Sequence, residues 1–357
     1  MITVNVEASK AYKVHIGAGL LEQAGEYARE ILGGEKAAIV TDDTVDRLYA
    51  EKVEASLRTH GYEVVKFVID SGEASKNAEN YIALLNFLAR QKVTRSDCVI
   101  ALGGGVPGDL AGFAAATFLR GIAYMQIPTT LLAMVDSSVG GKTAIDLDAG
   151  KNLAGAFYQP NVVLCDPTAL HTLPPQIFAD GCAEVIKYGV ILDAELFEWL
   201  KQPIQPQIER VIARCVQLKR DVVMQDEQDH GVRQLLNFGH TIGHAIEANS
   251  HFMISHGSAV AIGMCIAAEA AAKQGLCSEQ CVLEIEQMVT RYHLPVQTEY
   301  TADQLCRAAL SDKKRNGSSI NLILPERIGH CCIRKIPVEE LQNFIEAGIS
   351  ARRKPCR

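Results

Sequence analysis

Short apolar runs separated by polar turns alternate with helical patterns up to about residue 165. This alternation is typical of strands that each lead into a helix, and it predicts a parallel sheet covered by helices. Segment 136–152 is rich in Gly, Ser and Lys, and we interpret it as a long functional loop. The predicted strands are 36–41, 63–69, 97–102, 123–127 and 161–165, and the predicted helices are 44–60, 77–91 and 110–118.

Beyond about residue 174 the pattern changes to one helix after another. No Gly/Ser-rich linker marks the change, so the boundary rests on the pattern alone. We predict a Rossmann-like α/β domain at 1–170 and a mostly α-helical domain at 171–357. The predicted helices of the second domain are 176–189, 194–201, 207–225, 233–249, 258–274, 278–292, 301–311 and 338–347, and its predicted strands are 320–324 and 332–336.

Composition and charge exclude several classes of protein. The 357 residues are 48% hydrophobic and 22% charged, which is typical of soluble domains. The formal net charge of −7 argues against nucleic acid as a partner, because that association needs many contacts from Lys and Arg to phosphates. Segment 98–119 has one charge but five glycines and Pro107, so we predict no membrane helix there. Eleven cysteines without a CxxC pair, and no secretory leader pattern, favour reduced thiols and a cytoplasmic location.

Three glycines follow a predicted strand and precede a predicted helix. Gly103, Gly105 and Gly108 fit the pattern G-x-G-x-x-G. Glycine lets a backbone approach a pyrophosphate, and the following helix offers free N–H groups and the positive end of its dipole. No acid lies about twenty residues further on, but Asp42 ends an earlier strand, where it could accept ribose hydroxyls. The pattern favours a dinucleotide site over its alternative, a structural glycine-rich turn.

A polar stripe is predicted on one face of helix 233–249. Arg233, Asn237, His240, His244 and Glu247 follow one another at spacings of four, three, four and three. Side chains at these spacings share a helical face, while apolar residues occupy the other faces. Two imidazoles four residues apart can bind one metal ion, with a third ligand from elsewhere in the chain.

The third ligand has three candidates on the sequence alone. Catalytic zinc sites use His and carboxylate donors, so His251, His256 and Glu184 all qualify. Glu184 lies in an otherwise apolar helix, where a buried carboxylate needs a cation or a metal. Two structural alternatives stay open: an ion pair between Glu184 and Lys187, and histidines that are merely hydrogen-bonded in the core.

Basic residues recur beside the glycine-rich loops and the histidine helix. Together they favour an anionic ligand with more than one charged group. They are Arg120, Lys142, Lys151, Lys187, Lys219, Arg233 and Lys313.

With these motifs in place, the chain resembles the 3-dehydroquinate synthase family from about residue 36 to residue 335. The blocks that carry the resemblance are long and occur in the same order. They are ALGGGV (101–106) through Asp109, PTTLL (128–132), VDSSVGGKT (135–143), GKN (150–152), AEVIKY (183–188), NFGHTIGHAIE (237–247) and DKK (312–314).

The resemblance implies a homodimeric lyase of the shikimate pathway that uses NAD and a divalent metal, Zn or Co. Its substrate would be the sugar phosphate 3-deoxy-D-arabino-heptulosonate 7-phosphate. The implied metal ligands are Glu184, His240 and His256, which chooses His256 over His251. The implied NAD contacts are Asp42, Glu73, Lys76, Gly104, Gly105, Val106, Asp109, Thr129 and Thr130, with Lys142, Lys151 and Thr172 at the edge. The implied substrate contacts are Asp136, Lys142, Asn152, Lys187, Lys219, Arg233, Asn237, His244 and Lys313, with Arg120 reaching the phosphate from the partner subunit.

Two residues depart from the family pattern. Pro107 stands where an aliphatic residue is usual, and a proline that fixes φ and removes an N–H is expected to alter the loop slightly. Ser258 stands where a glutamate commonly follows His-Gly. Rival interpretations are another sugar phosphate cyclase such as a 2-deoxy-scyllo-inosose or valiolone synthase, a dehydrogenase like glycerol dehydrogenase, and an inactive binding protein.

Overall fold

Seven strands of the first half of the chain form one sheet in the computed structural model, which describes residues 1–312 and 318–350. The strands are β1 (Ile2–Glu7), β2 (Ala11–Ile16), β3 (Lys36–Asp42), β4 (Glu63–Ile69), β5 (Cys98–Gly103), β6 (Ala123–Pro128) and β9 (Val162–Cys165). Their order in the sheet is β1-β2-β9-β6-β5-β3-β4. Strands β1 and β2 pair in antiparallel fashion, and the other neighbouring strands are parallel.

The order of the parallel strands places a topological switch point between β3 and β5. The chain leaves β3 for β4 on one side and then returns to β5 on the other side. Ligands of open α/β sheets bind beyond the carboxyl ends of the strands at such a point. Asp42 ends β3 and Gly103 ends β5, so the predicted acid and the predicted glycine turn meet there.

Helices cover this sheet because its strands are apolar on both faces. All six residues of β5 are buried, and so are the last six of β3. Leu84 and Leu110 are fully buried in the cluster that joins the sheet to two helices, and burial of a leucine side chain stabilises by about 2 kcal/mol. The helices are α1 (Ala24–Ile31), α2 (Asp43–Val45), α3 (Glu51–Thr59), α4 (Ala78–Arg90) and α5 (Gly105–Thr117), with a π-helical stretch Asp46–Ala50 between α2 and α3.

The predicted long loop at 136–152 is mostly wrong. After a π-helical turn at Ala133–Ser137, strands β7 (Lys142–Leu147) and β8 (Gly150–Phe157) form an antiparallel hairpin. Only Thr143 and Ile145 of β7 are buried, and no residue of β8 is. The alternation of buried and exposed positions that marks a strand is therefore short in β7 and has no buried position in β8. Helix α1 was not predicted from the sequence either.

The second half is mainly helical, as predicted, with one hairpin of β10 (Ser319–Arg327) and β11 (His330–Pro337). Helix α10 is buried along most of its length and packs against four other helices. The helices that follow α5 are α6 (Pro175–Leu192), α7 (Ala194–Trp199), α8 (Ile208–Gln225), α9 (His240–Asn249), α10 (His256–Lys273), α11 (Glu279–Arg291), α12 (Ala302–Asp312) and α13 (Leu341–Ser350).

The chain crosses between two structural units more often than the predicted boundary allows. Unit 1 comprises residues 1–174 and 208–228, and unit 2 comprises residues 175–207 and 229–357. Helix α8 therefore belongs to unit 1, where it packs against β1 and the π-helical turn Ala133–Ser137. A division at 170/171 assigns this helix to the wrong unit.

The predicted single helix 233–249 is also wrong. Val232–Asn237 is a 3₁₀ helix, and α9 begins only at His240. Gly239 between them is left-handed, with φ of 78°, and a Cβ there would lie 2.7 Å from the carbonyl oxygen of Val260 on α10. Arg233 and Asn237 therefore do not share a helical face with the histidines.

Among the described helices, none combines the length and the apolar character needed to cross a membrane.

Candidate cofactor and metal sites

The glycine turn after β5 fits only residues without side chains at its tightest point. Gly103 has φ of 149°, and a Cβ there would lie 2.7 Å from Cγ of Pro107 and 3.5 Å from Oδ2 of Asp42. Gly104 is the N-cap residue of α5, and a Cβ there would lie 3.1 Å from Thr130. The other carboxylate oxygen of Asp42 accepts from Thr44 N–H at 3.0 Å and Val45 N–H at 2.9 Å, so it caps α2. The turn is therefore a cradle beside a fixed carboxylate.

Pro107 stands in the first turn of α5, where a proline is compatible with the helix. It is the third residue of α5, and the first intrahelical bond runs from Gly108 N–H to Gly104 O at 3.2 Å. N–H groups of a first turn have no intrahelical acceptor, so the helix loses none of its own bonds. Gly105 and Val106 therefore keep an N–H at the helix start, and Pro107 has none to offer.

One buried ammonium holds three carboxylates behind the turn. Nζ of Lys76 lies 2.8 Å from Glu73, 3.3 Å from Asp109 and 3.9 Å from Asp146. Burial lowers the pKa of Lys76, but Asp109 and Glu73 outweigh it and raise the pKa well above its usual value. Burial raises the pKa of Asp109 to about 6 despite the lysine. Lys151 lies 3.8 Å from Glu73. Four of the predicted NAD contacts, Glu73, Lys76, Asp109 and Lys151, thus form one cluster.

Asp146 is the member of the cluster that the sequence prediction missed. Its backbone N–H donates to the carbonyl of Lys76 at 2.7 Å, and its carboxylate accepts from the N–H of Asn152 at 2.8 Å. It therefore fixes the β7–β8 hairpin to the cluster. An acid within a strand of alternating burial was the available signal, but the interpretation of this segment as a loop hid it.

Thr129 carries a buried hydroxyl that suits a ligand. The side chain is 2% exposed, and its Oγ1 has no hydrogen-bond partner among the described residues. Its backbone N–H donates to Gly103 O at 2.9 Å, which places it beside the glycine turn. Thr130 instead accepts from Ala133 N–H at 3.2 Å, and Thr172 is hydrogen-bonded to Tyr49. Thr129 is thus the threonine whose hydroxyl has most to gain from a cofactor.

Replacing Thr129 with valine is expected to weaken NAD binding about tenfold and to leave the thermal midpoint of the NAD-free protein unchanged or higher. The reason is that the change removes an unpaired buried hydroxyl without changing the side-chain shape. Calorimetric titration with NAD and thermal unfolding measure the two effects. Ser138→Ala is the matched control, because the Ser138 hydroxyl is also buried with no hydrogen-bond partner in the described part of the chain. Equal NAD affinity of Thr129→Val and wild type would contradict the assignment.

Two predicted substrate contacts are joined within unit 1. Nζ of Lys219, on α8, lies 2.9 Å from the Asp136 carboxylate and 2.7 Å from its carbonyl oxygen. Lys219 is 5% exposed, so this contact holds it firmly. Lys142 begins β7 and is exposed, and Asn152 on β8 has a left-handed backbone with φ of 54°. Arg120 lies in the exposed turn after α5, where φ is 50° at Leu119 and 68° at Arg120.

Unit 2 brings one carboxylate and two imidazoles together. Oε1 of Glu184 on α6 lies 3.5 Å from Nε2 of His240 at the start of α9 and 3.4 Å from Nε2 of His256 at the start of α10. The three ligand atoms all lie within 4.8 Å of one another. A carboxylate and two imidazole nitrogens are a donor set of catalytic zinc sites, in which a fourth position stays open. The residues therefore fit a divalent metal ion.

The far nitrogen of each imidazole is held as well. Nδ1 of His240 lies 3.1 Å from the carbonyl of Phe238, and Nδ1 of His256 lies 3.4 Å from the Glu247 carboxylate. Such partners orient metal-binding histidines. Burial lowers the pKa of His240 to about 3, so that imidazole is neutral. Burial also lowers the pKa of His256, but Glu184 and Glu247 outweigh it and raise the pKa to about 10.

His244 lies beside the metal-ligand candidates without joining their triad. Its ring is 5.5 Å from that of His240 and 6.2 Å from that of His256. Together with Glu247 and His256 it forms a second group of possible ligand atoms. His251 lies on an exposed loop with φ of 49° and belongs to neither group among the described residues.

Two cationic residues of unit 2 are almost fully buried. Lys187 is 1% exposed and forms an ion pair with Glu184, so the ion pair and the metal-type triad share one carboxylate. Arg233 is also 1% exposed, in the 3₁₀ helix that ends at Asn237. Lys313, the last predicted substrate contact, lies outside the described residues.

Comparison with known proteins gives the same family over most of the chain. The models for the 3-dehydroquinate synthase N-terminal and C-terminal regions match residues 66–180 and 181–315. The 3-dehydroquinate synthase of Clostridium acetobutylicum is 42% identical over 353 residues, which cover 97% of this chain and 99% of that protein.

Two solved structures resemble this chain to different degrees. The 2-epi-5-epi-valiolone synthase of Streptomyces hygroscopicus subsp. jinggangensis, with NAD+ and Zn2+ bound, has a TM-score of 0.87 and 29% identity and covers 98% of this chain and 99% of that chain. A probable glycerol dehydrogenase of Sinorhizobium meliloti has a TM-score of 0.63 and 13% identity, with coverage of 96% and 98%. The latter likeness extends to the fold alone.

Proposed function

The chain belongs to the 3-dehydroquinate synthase family, and on this basis we propose how its residues share the reaction. The protein is a lyase that converts 3-deoxy-D-arabino-heptulosonate 7-phosphate to 3-dehydroquinate and phosphate. The observation that carries our assignment is the convergence of Glu184, His240 and His256 in one group. NAD supplies a transient oxidation and the divalent metal supplies Lewis acidity when they are bound.

Unit 1 would hold NAD at the switch point between β3 and β5. In this proposal, the first-turn N–H groups of Gly105 and Val106 meet the pyrophosphate, and the free oxygen of Asp42 meets the ribose. Thr129 would satisfy its buried hydroxyl on the same cofactor. The Lys76 cluster, with Glu73, Asp109 and Lys151, would fix the nicotinamide half, and Thr130, Gly104, Lys142 and Thr172 would border the site.

Unit 2 would hold the metal and the carboxylate end of the substrate. Glu184, His240 and His256 would hold the ion, which would supply Lewis acidity to a substrate oxygen. His244, next to the ligand histidines, would move a proton at the reacting carbon. Lys187 and Arg233 would bind the anionic substrate, because buried cations favour charged ligands, and the neutral amide of Asn237 would add a hydrogen-bond donor. The family resemblance also proposes substrate contacts in unit 1, namely Asp136, Asn152 and Lys219, and Lys313, which lies outside the described residues.

Phosphate release distinguishes the cyclases. We expect the purified protein with NAD and Zn²⁺ to release phosphate from the heptulosonate phosphate. Release from glucose 6-phosphate, which lacks a carboxylate, should be at least 100-fold slower. This difference corresponds to ~2.7 kcal/mol in kcat/KM. A colorimetric phosphate assay measures both rates. Release from glucose 6-phosphate alone would favour a 2-deoxy-scyllo-inosose type of cyclase. A steady accumulation of NADH with product would instead favour a dehydrogenase.

We also propose a cytoplasmic homodimer in which Arg120 serves the partner's site. The ten described cysteines are free thiols, which suits a reducing compartment. Arg120 is exposed on a left-handed turn, a conformation that proteins keep where a side chain must be aimed. Analytical ultracentrifugation tests the dimer, and a monomer at assay concentrations would contradict this role of Arg120.

A further inference from the structure

The start of α10 is capped by a carboxylate from another helix. The side chain of the N-cap residue Ser255 accepts no bond from a backbone N–H of its own helix, and its hydroxyl lies 2.9 Å from Oγ of Ser258. Instead, one oxygen of Asp180, on α6, accepts from Ser258 N–H at 3.1 Å and from the hydroxyls of Ser255 at 2.6 Å and Ser258 at 3.3 Å. Asp180 therefore satisfies a first-turn donor that the helix itself leaves unpaired.

The same contact joins two metal-ligand candidates. Asp180 and Glu184 are four residues apart on α6, so they lie on one face of that helix. His256 is the first residue of α10, one position before Gly257. A Cβ on Gly257 would lie 2.3 Å from Cα of Asp180 and 2.4 Å from its carbonyl oxygen, so the two helices touch at backbone distance.

We propose that Asp180 is a positioning residue for the metal site, which sets the distance between Glu184 and His256 by capping α10. It is not a member of either group of possible metal-ligand atoms among the described residues. Its role explains how this chain dispenses with an acid at position 258. Ser255 and a glutamate at 258 would form the capping box S-x-x-E within α10 itself. Here Ser258 and Asp180 provide the cap across two helices.

The inference rests on the proposed metal site, and the experiment separates the two. The full-length protein is loaded with Co²⁺, its visible absorption is recorded, and the rate of metal loss to excess chelator is measured. We expect Asp180→Ala to release Co²⁺ about tenfold faster than wild type, in line with other residues that orient metal ligands. Asp180→Asn, whose amide oxygen can still accept, should stay close to wild type. Ser258→Glu added to Asp180→Ala should restore slow release.

Asp193→Ala is the matched control. Asp193 caps α7 through the N–H groups of Glu195 and Leu196, at 3.0 and 3.1 Å, and it lies in the same unit. The two alanine variants should lose similar thermal stability, because each loses a helix cap, but only Asp180→Ala should lose metal faster. Equal release from both variants, or release from Asp180→Ala at the wild-type rate, would overturn the proposal. A His256→Ala variant that held Co²⁺ like wild type would contradict the metal site itself.

Discussion

Glu184→Gln is expected to weaken metal binding at least 100-fold and to lower turnover about 1000-fold, ~4 kcal/mol in the barrier. The carboxylate is fully buried, and its Oε1 is the atom that both imidazole Nε2 atoms approach, at 3.5 and 3.4 Å. Glutamine keeps the shape but loses the charge that attracts the ion. Metal content after dialysis and the phosphate-release rate measure the two effects.

The same change also removes the negative partner of Lys187. Because both side chains are 1% exposed, breaking this pair is expected to cost about 3–5 kcal/mol of unfolding free energy. Glu184→Asp keeps the charge and serves as the companion if Glu184→Gln folds poorly, since it should keep most of the stability and still bind metal more weakly.

Glu198→Gln provides the matched control for Glu184. Glu198 and Lys201 form the same i,i+3 type of pair in unit 2, but their side chains are 59% and 43% exposed. Its loss should change stability by less than about 1 kcal/mol and leave metal content unchanged. If folded Glu184→Gln protein bound metal as tightly as wild type, Glu184 would be only an ion-pair partner of Lys187.

The sequence predicts best where the structure depends on short-range patterns. Strand Glu63–Ile69 has the predicted bounds, β3 and β6 each extend one residue beyond the predicted end, and β5 is shifted by one residue at both ends. These strands are apolar because helices cover both faces of a parallel sheet. The glycine turn and Asp42 are recognisable for a related reason, since both stand at strand ends that a parallel sheet brings to one edge.

The errors arise where distant parts of the chain decide the local structure. Position 239 requires a left-handed glycine because it packs closely against Val260 and Met264. These two residues lie on α10, and the whole of α9 separates them from Gly239 in the chain. Helix α8 has an ordinary amphipathic pattern, and nothing in it tells which unit it packs on. Asp180, the acid that caps α10, lies 78 residues before Ser258 in the chain. From the sequence alone, Ser258 therefore suggests only that the helix has lost a capping glutamate.

Lys76→Met is expected to lower NAD affinity at least 100-fold, ~2.7 kcal/mol, and to destabilise the protein by about 3 kcal/mol. The ammonium is 5% exposed and faces Glu73, Asp109 and Asp146. Without it, three carboxylates converge with one fewer counter-ion, and their repulsion displaces the cofactor groups and the β7–β8 hairpin. Calorimetric titration with NAD and chemical denaturation measure the two losses.

A control lysine separates NAD binding from general stability. Lys66 lies 2.7 Å from both Asp46 and Glu54 in the same unit, but its side chain is 31% exposed. Lys66→Met should cost about 1 kcal/mol or less, with NAD affinity unchanged. Because Lys66 also pairs with two carboxylates of unit 1, a loss of NAD affinity confined to Lys76→Met assigns its cluster to the cofactor. Full NAD affinity in destabilised Lys76→Met would make the cluster a purely structural anchor of the hairpin.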